Sequence, residues 1–181
     1  MISDQDLVAR FRETGGNEVF RELVERHQTR VFHVVLSVLG PAHAAEAEEV
    51  AQEVFLQVYL QLSGFRGDAA FSSWVYRIAW NRAADRKRLS RFRRPHLPET
   101  FADRASESTN PLGDTLTKER ERLVQEAVEA LPELYRTVLR LHYWLGCPLA
   151  EMREITGIPE GNLKSYLARA RKRLERRLAD V

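Results

Sequence analysis

Three stretches of the chain concentrate side chains suited to an anionic polymer or a basic protein. Between Gly161 and Lys172, small or hydrogen-bonding residues (Asn162, Ser165, Ala168) alternate with cations (Lys164, Arg169, Lys172). Small polar groups can approach base edges in a major groove while cations meet the flanking phosphates. Between Phe65 and Arg82, the rings of Phe65, Trp74, Tyr76 and Trp80 interleave with Arg66, Arg77 and Arg82, and a basic run continues through Arg86, Lys87 and Arg88. Flat faces that stack bases, with cations that track a backbone, are what a single-stranded nucleic acid requires. Between Glu46 and Glu53 the sign reverses, and Glu46, Glu49, Gln52 and Glu53 form an acidic surface that fits a basic protein partner. Each stretch also has a plainer reading: a solvated basic helix, rings that cap a core, and a solvated acidic face.

The elements that must hold these side chains can be read from the apolar spacing. Leu149, Met152 and Ile155 predict a short helix that stops at Thr156-Gly157, and Leu163, Leu167, Ala170 and Leu174 predict a longer one. Gly157 can take the left-handed conformation that ends the first, and Pro159 suits the start of the second. The pair is a helix-turn-helix. With its apolar row facing inward, the second helix turns Gly161, Asn162, Ser165, Ala168, Arg169 and Lys172 outward, with Lys164 and Arg173 on the flanks.

In the first half, Ser3 and Asp6 have the spacing of a capping box for a helix near 4–13, with Leu7, Val8 and Phe11 inward. Gly15-Gly16 ends it, and Asn17 is expected to cap the next. That helix faces Leu23, Val24, His27, Val31, Val34, Val35 and Val38 inward until Gly40-Pro41. His27, without a second metal ligand at usable spacing, is expected to be a satisfied core or boundary histidine. A third helix, roughly His43 to Leu62, aligns Ala47, Val50, Val54, Val58 and Leu62 for the core and leaves the acidic residues outside. A fourth packs Phe71, Val75, Ile78 and Ala79, and its rings at Trp74, Tyr76 and Trp80 cannot all share that stripe.

Periodicity fails from Leu89 to about Asp114, where breakers and small polar residues predict a linker over 93–114. Beyond it, Leu123, Ala127, Val128 and Leu131 predict one helix closed by Pro132, and Leu134, Val138, Leu141, His142 and Leu145 another closed by Gly146. With no strand pattern, the expected fold is all-α: two small helical domains, 1–92 and 115–181, joined by a flexible linker, the second containing the helix-turn-helix.

Composition narrows the function. The chain has 181 residues, 44% hydrophobic and 30% charged, so it can bury a core and stay in solution. The net charge of +2 says less than its distribution, with acidic residues near 46–53 and basic ones at 82–94 and 164–177. A single cysteine, Cys147, excludes an internal disulfide and a cysteine zinc site and fits a reducing cytoplasm. No signal-peptide pattern and no run of about 20 apolar residues appears, so neither export nor membrane insertion is expected. Walker, Gly-x-Ser-x-Gly and His-Glu-x-x-His motifs are absent, and the five histidines and Cys147 make no nucleophile or metal pattern. No catalytic residue, metal site, cofactor or small-molecule substrate is expected. The chain reads as a binding protein.

Three segments together resemble the extracytoplasmic-function (ECF) branch of bacterial RNA polymerase sigma factors. They are Ala45-Glu46-Ala47-Glu48-Glu49-Val50-Ala51-Gln52-Glu53-Val54-Phe55; Phe65-Arg66-Gly67-Asp68 with Phe71 to Ala79 and Asn81; and Gly157 to Ser165 with Ala168-Arg169-Ala170-Arg171. The resemblance implies that the first domain is sigma region 2, whose acidic helix docks on the clamp helices of the largest polymerase subunit through Glu49, Gln52 and Glu53. Its next helix would open the −10 element, with Phe65, Trp74, Tyr76, Arg77 and Arg82 in the melting stretch and Asn81 at the pocket for an extruded base. Unstacking a base is costly, and aromatic or apolar walls offset part of the cost. The second domain would be sigma region 4, placing Asn162, Lys164, Ser165, Ala168, Arg169 and Lys172 on the −35 element, with the polymerase flap as a further partner. The linker would thread toward the RNA exit path, and an anti-sigma factor would mask both domains.

The sequence departs from the family in places. Glu49 stands where aspartate is usual, Asn162 and Tyr166 replace the commoner Thr and Arg, and Cys147-Pro148 replaces a serine cap. Arg153 occupies a normally small position and is expected to snorkel outward. Two rival readings remain at this point: a free-standing helix-turn-helix regulator, and an adaptor that sequesters a partner through the acidic helix.

Overall fold

The computed structural model describes the backbone of residues 2–93 and 115–179 and the side chains of 2–89 and 122–179; the expected linker lies outside this set except for Arg93, which ends a helix. Among the described residues there are eight α-helices and no strand. They are α1 (Asp4–Thr14), α2 (Asn17–Leu39), α3 (Ala44–Gln61), α4 (Phe71–Arg93), α5 (Thr115–Glu129), α6 (Glu133–Leu139), α7 (Leu149–Thr156) and α8 (Glu160–Ala179). Helix α4 therefore continues past Leu89, where the apolar periodicity fades.

The start of the chain is set by its caps. Ser3 Oγ accepts from the Asp6 N–H and the Asp6 carboxylate accepts from the Ser3 N–H, both at 3.2 Å, so the expected capping box forms. Gly15, at φ 61°, closes α1 by donating its N–H to the Phe11 carbonyl. One expectation fails: Gly16, not Asn17, is the N-cap of α2. Asn17 is the first helical residue, and its Oδ1 instead accepts from the Tyr59 hydroxyl at 3.3 Å.

Helices α2, α3 and α4 pack mutually, and α1 lies along α2. Val31, Val34 and Val35 from α2, Val50, Val54 and Val58 from α3, and Val75 and Ala79 from α4 are fully buried between them. Each such valine gains about 1.5–3 kcal/mol by leaving water. His27 is the satisfied boundary histidine that its position suggested: its rings nitrogens face Asp4 Oδ2 at 2.7 Å and the Tyr76 hydroxyl at 3.0 Å.

In the second half, Ala127, Val128 and Leu131 point inward as expected, but the next segment differs. Helix α6 gives way to a π turn over Arg140–Trp144, in which the Leu145 N–H donates to the Arg140 carbonyl. The wider turn shifts the helical phase. Val138, Leu139 and Leu141 are buried, whereas Leu134 is exposed and Tyr143 and Trp144 face out. Helices α7 and α8 then follow the expected pattern, with Gly157 at φ 73° between them and Met152, Ile155, Leu163 and Leu167 buried.

The two halves share one continuous buried core. Helix α7 lies against α4, and polar links cross the seam: Arg30 to Glu151 at 3.1 Å, Lys87 to Glu133 at 3.4 Å, and Arg140 to the Ser37 carbonyl at 3.2 Å.

Candidate functional site

Helix α8 turns outward the residues expected there. Asn162, Lys164, Ala168, Arg169 and Lys172 are exposed and Ser165 is half-buried, while Leu163, Leu167 and Ala170 hold the opposite side on the rest of the domain. The flank is fixed by aromatic contacts. Tyr166 packs against Tyr135 in a tilted pair with centroids 5.9 Å apart, and the Arg173 guanidinium lies 5.2 Å over the Tyr135 ring. Tyr166 and Arg173 thus orient α8 on α6 and leave the outward row to the other side chains. Arg153 snorkels outward as expected, pairing with Glu154 at 2.7 Å and with Glu160 at 3.5 Å.

The six expected nucleic-acid residues, five on α4 and Phe65 in the segment before it, separate by depth. Arg77, Asn81 and Arg82 are exposed, and Trp74 is half-buried. Trp74, Arg77 and Asn81 recur at i, i+3 and i+7 and therefore share one face. Phe65 is buried behind this row, 4.9 Å from Trp74 and 5.9 Å from Phe71 between ring centroids. Tyr76 points the other way, into the core. It is 4% exposed, its hydroxyl meets His27, and the Arg30 guanidinium sits 5.4 Å over its ring. Burial pushes its phenol up to about 12. Five residues along an α-helix turn a side chain well over 100°, so Tyr76 and Asn81 cannot serve one surface. Of these two rings, Trp74, half-buried against Phe65 and Phe71, reaches the surface and Tyr76 does not.

The acidic surface of α3 is exposed along Glu49 (71%), Gln52 and Glu53 (44%). Two features of it were missed in the sequence. Leu56 and Leu60, 62% and 70% exposed, continue the same side of the helix by two turns. Their signal was present, since 49, 52, 53, 56 and 60 run opposite the core row of Val50, Val54 and Val58. Second, Arg86 of α4 reaches over to this surface: it bonds the Glu53 carboxylate and lies 3.6 Å from Glu49 and 3.8 Å from Glu46. Nothing in the spacing of the sequence announces that cross-helix pairing.

Among the described residues no group of three His, Cys, Asp or Glu side chains could hold a metal ion, and no helix is long and apolar enough to cross a membrane. Cys147 is buried at the seam between the halves, with Arg30 Nη2 3.2 Å from its sulfur. Burial pushes its thiol up, Glu151 adds to the effect, and Arg30 opposes it.

A helix-turn-helix with an open outer face, beside a helical unit bearing an aromatic-basic row and an acidic strip, is the architecture of a DNA-binding protein with two helical heads. Comparison with known proteins gives the class its family. The sigma-70 region 2 family model matches residues 23–93, and the sigma-70 region 4 model matches residues 121–174. The RNA polymerase sigma-H factor of Pseudomonas aeruginosa is 33% identical, with 97% of this chain and 93% of the relative covered. The ECF RNA polymerase sigma-E factor of Escherichia coli K12 is 31% identical over 98% of this chain and 95% of its own. Among solved structures, the sigma factor RpoE in complex with the anti-sigma factor NepR from Bartonella quintana has the same fold, with a TM-score of 0.67 at 18% identity over 88% of this chain and 96% of that one. The chain belongs to the ECF sigma factors of the sigma-70 family.

Proposed function

We propose that this chain directs core RNA polymerase to promoters by holding the enzyme through α3 while α4 and α8 engage the −10 and −35 elements. The observation that carries the reading is the division of one helical unit into two outward faces: exposed Arg77 and Asn81 with half-buried Trp74 on α4, and exposed Glu49 and Gln52 with half-buried Glu53 on α3. The first suits a base leaving its stack, with Trp74 as a wall, Asn81 as a hydrogen-bonding partner and Arg77 at a phosphate. The second suits a basic helical partner, here the clamp helices of the largest subunit. Helix α8 supplies duplex readout through Asn162, Ser165, Ala168 and Arg169, with Lys164 and Lys172 on phosphates. The polymerase flap is the partner of the second domain.

In this reading the chain acts in the cytoplasm and has no catalytic activity of its own; the polymerase performs the chemistry. Each head alone makes a small, salt-sensitive contact, and tethering both to one enzyme raises their joint affinity. The relative bound to an anti-sigma factor supports a regulator of the same kind here.

Run-off transcription with core polymerase on a genomic fragment library tests the activity and reports the promoter. Glu49→Lys with Glu53→Lys should abolish polymerase binding and transcription together. Tight, specific binding to duplex DNA without polymerase would instead establish a free-standing regulator, and polymerase-independent capture of a protein with no promoter-dependent transcript would establish an adaptor.

A further inference from the structure

Two arginines one turn apart on α4 bridge the nucleic-acid face and the docking face. Arg82 Nε donates to Gln57 Oε1 at 2.7 Å, and one turn further on Arg86 bonds Glu53, one turn earlier on α3. The antiparallel helices are thus joined by two rungs, Arg82–Gln57 and Arg86–Glu53. Arg86 also lies 3.6 Å from Glu49 and 3.8 Å from Glu46, so three carboxylates share one guanidinium.

The array has the composition of an occupied docking site. Its cation comes from within the molecule, and its outer carboxylates remain open to solvent, Glu49 at 71% and Glu53 at 44% exposure. Ala83, not Arg86, fills the buried position of this part of α4. Half-exposed ion pairs are weak and exchange readily for others. Arg86, released, would stand beside Arg82 on the basic side of α4, and a guanidinium fork fits a phosphate as well as it fits a carboxylate.

We propose that Arg86 is shared between two partners: it closes the acidic strip in the free protein, and when a basic surface of the polymerase takes Glu49 and Glu53 it is released to the promoter phosphates. Docking then strengthens DNA binding, and by linkage DNA strengthens docking by the same factor. Arg86 thereby couples the two steps. This inference rests on the docking role given to α3 above.

The test measures the full-length chain against core polymerase, and then the holoenzyme against promoter DNA at several salt concentrations. Arg86→Gln removes the internal competitor and should tighten core binding about threefold, the size expected for a half-exposed ion pair. The same variant should reduce the slope of log affinity for promoter DNA against log salt by about 1, one phosphate contact fewer. Unchanged or weaker core binding, or an unchanged salt slope, overturns the proposal. Were Arg86→Gln to fold poorly, Arg86→Met keeps the aliphatic stem and supports both measurements. Glu53→Lys separates the two levels of inference: if it still binds core polymerase, the docking role of α3 fails; if it does not, and Arg86→Gln behaves as wild type, only the sharing of Arg86 fails.

Discussion

Arg30 Nη2 lies 3.1 Å from Glu151 Oε2, so a side chain of the second helix grips the first helix of the helix-turn-helix across 121 positions of sequence. The same nitrogen is 3.2 Å from Cys147 Sγ, and the guanidinium covers the Tyr76 ring. One cation therefore joins the two halves at a point where both bury their cores. The seam is the part of the molecule whose opening would separate the two DNA-reading heads.

Glu151→Ala should loosen that seam. The pair is partly exposed, 36% at Arg30 and 22% at Glu151, which puts its contribution at about 1 kcal/mol. A loss of that size raises the population of the open form about fivefold. Cys147 reports it directly, because its side chain is 0% exposed in the closed form and its thiol is held above its ordinary range by burial. Alkylation of Cys147 by iodoacetamide at pH 8 should be slow in the wild type and about fivefold faster in the variant, in proportion to the open population.

Tyr76 gives the fold a dependence on alkaline pH. Its phenol ionises near 10 in the unfolded chain and at about 12 in the folded one, chiefly because burial disfavours the phenolate. The folded-state value is the higher, so its stabilisation is complete below pH 10 and is lost as pH rises from 10 through 12. Urea denaturation of the wild type and Tyr76→Phe across pH 8–12 should show the stability difference between them shifting against the wild type in that window. A constant difference would mean that the hydroxyl does not titrate late.

How much of this was legible beforehand follows the range of each interaction. The capping box of Ser3 and Asp6, the stop at Gly157 and the core row of Ala47, Val50, Val54, Val58 and Leu62 are local or periodic, and the backbone reads them as the sequence writes them. The π turn at Arg140–Trp144 is not periodic and changes the phase of the residues after it, leaving Tyr143 and Trp144 exposed. Tyr76 was placed with the nucleic-acid rings because its type suited stacking, but a helix assigns direction by angle, and angle put it against His27. Arg86 and Glu53 meet only because α3 and α4 lie antiparallel, a fact of packing that no spacing encodes. The capping of α2 by Gly16 in place of Asn17 shows a smaller limit: either residue suits an N-cap, and the hydrogen bond from Tyr59 decides how Asn17 is used.

Gly157→Ala tests the turn of the helix-turn-helix. No atom lies within 4 Å of the added methyl, so the cost comes from the backbone alone, which holds φ at +73°. Forcing an alanine into that region should cost about 1 kcal/mol. Chemical denaturation should show the loss, and Gly157→Asn, which tolerates the left-handed region better, should show less.

Asn81 and Lys172 should fail in different ways. Asn81 is exposed on the row with Trp74 and Arg77, where a side-chain amide can pair with the edge of a base that has left its stack. Asn81→Ala should therefore lower promoter opening, read with a fluorescent base near the −10 element, by about tenfold while leaving polymerase binding as it was; this is the size of one lost base contact. Lys172, far along α8 and on the −35 side in the proposed reading, offers a charge and no bidentate pattern. Lys172→Ala should weaken binding to all promoters alike and lower the salt slope by about 1, with opening of the bound complex unchanged. An equal loss of polymerase binding and promoter opening in Asn81→Ala would assign that residue to the support of α4 and leave base capture to other groups on the same face.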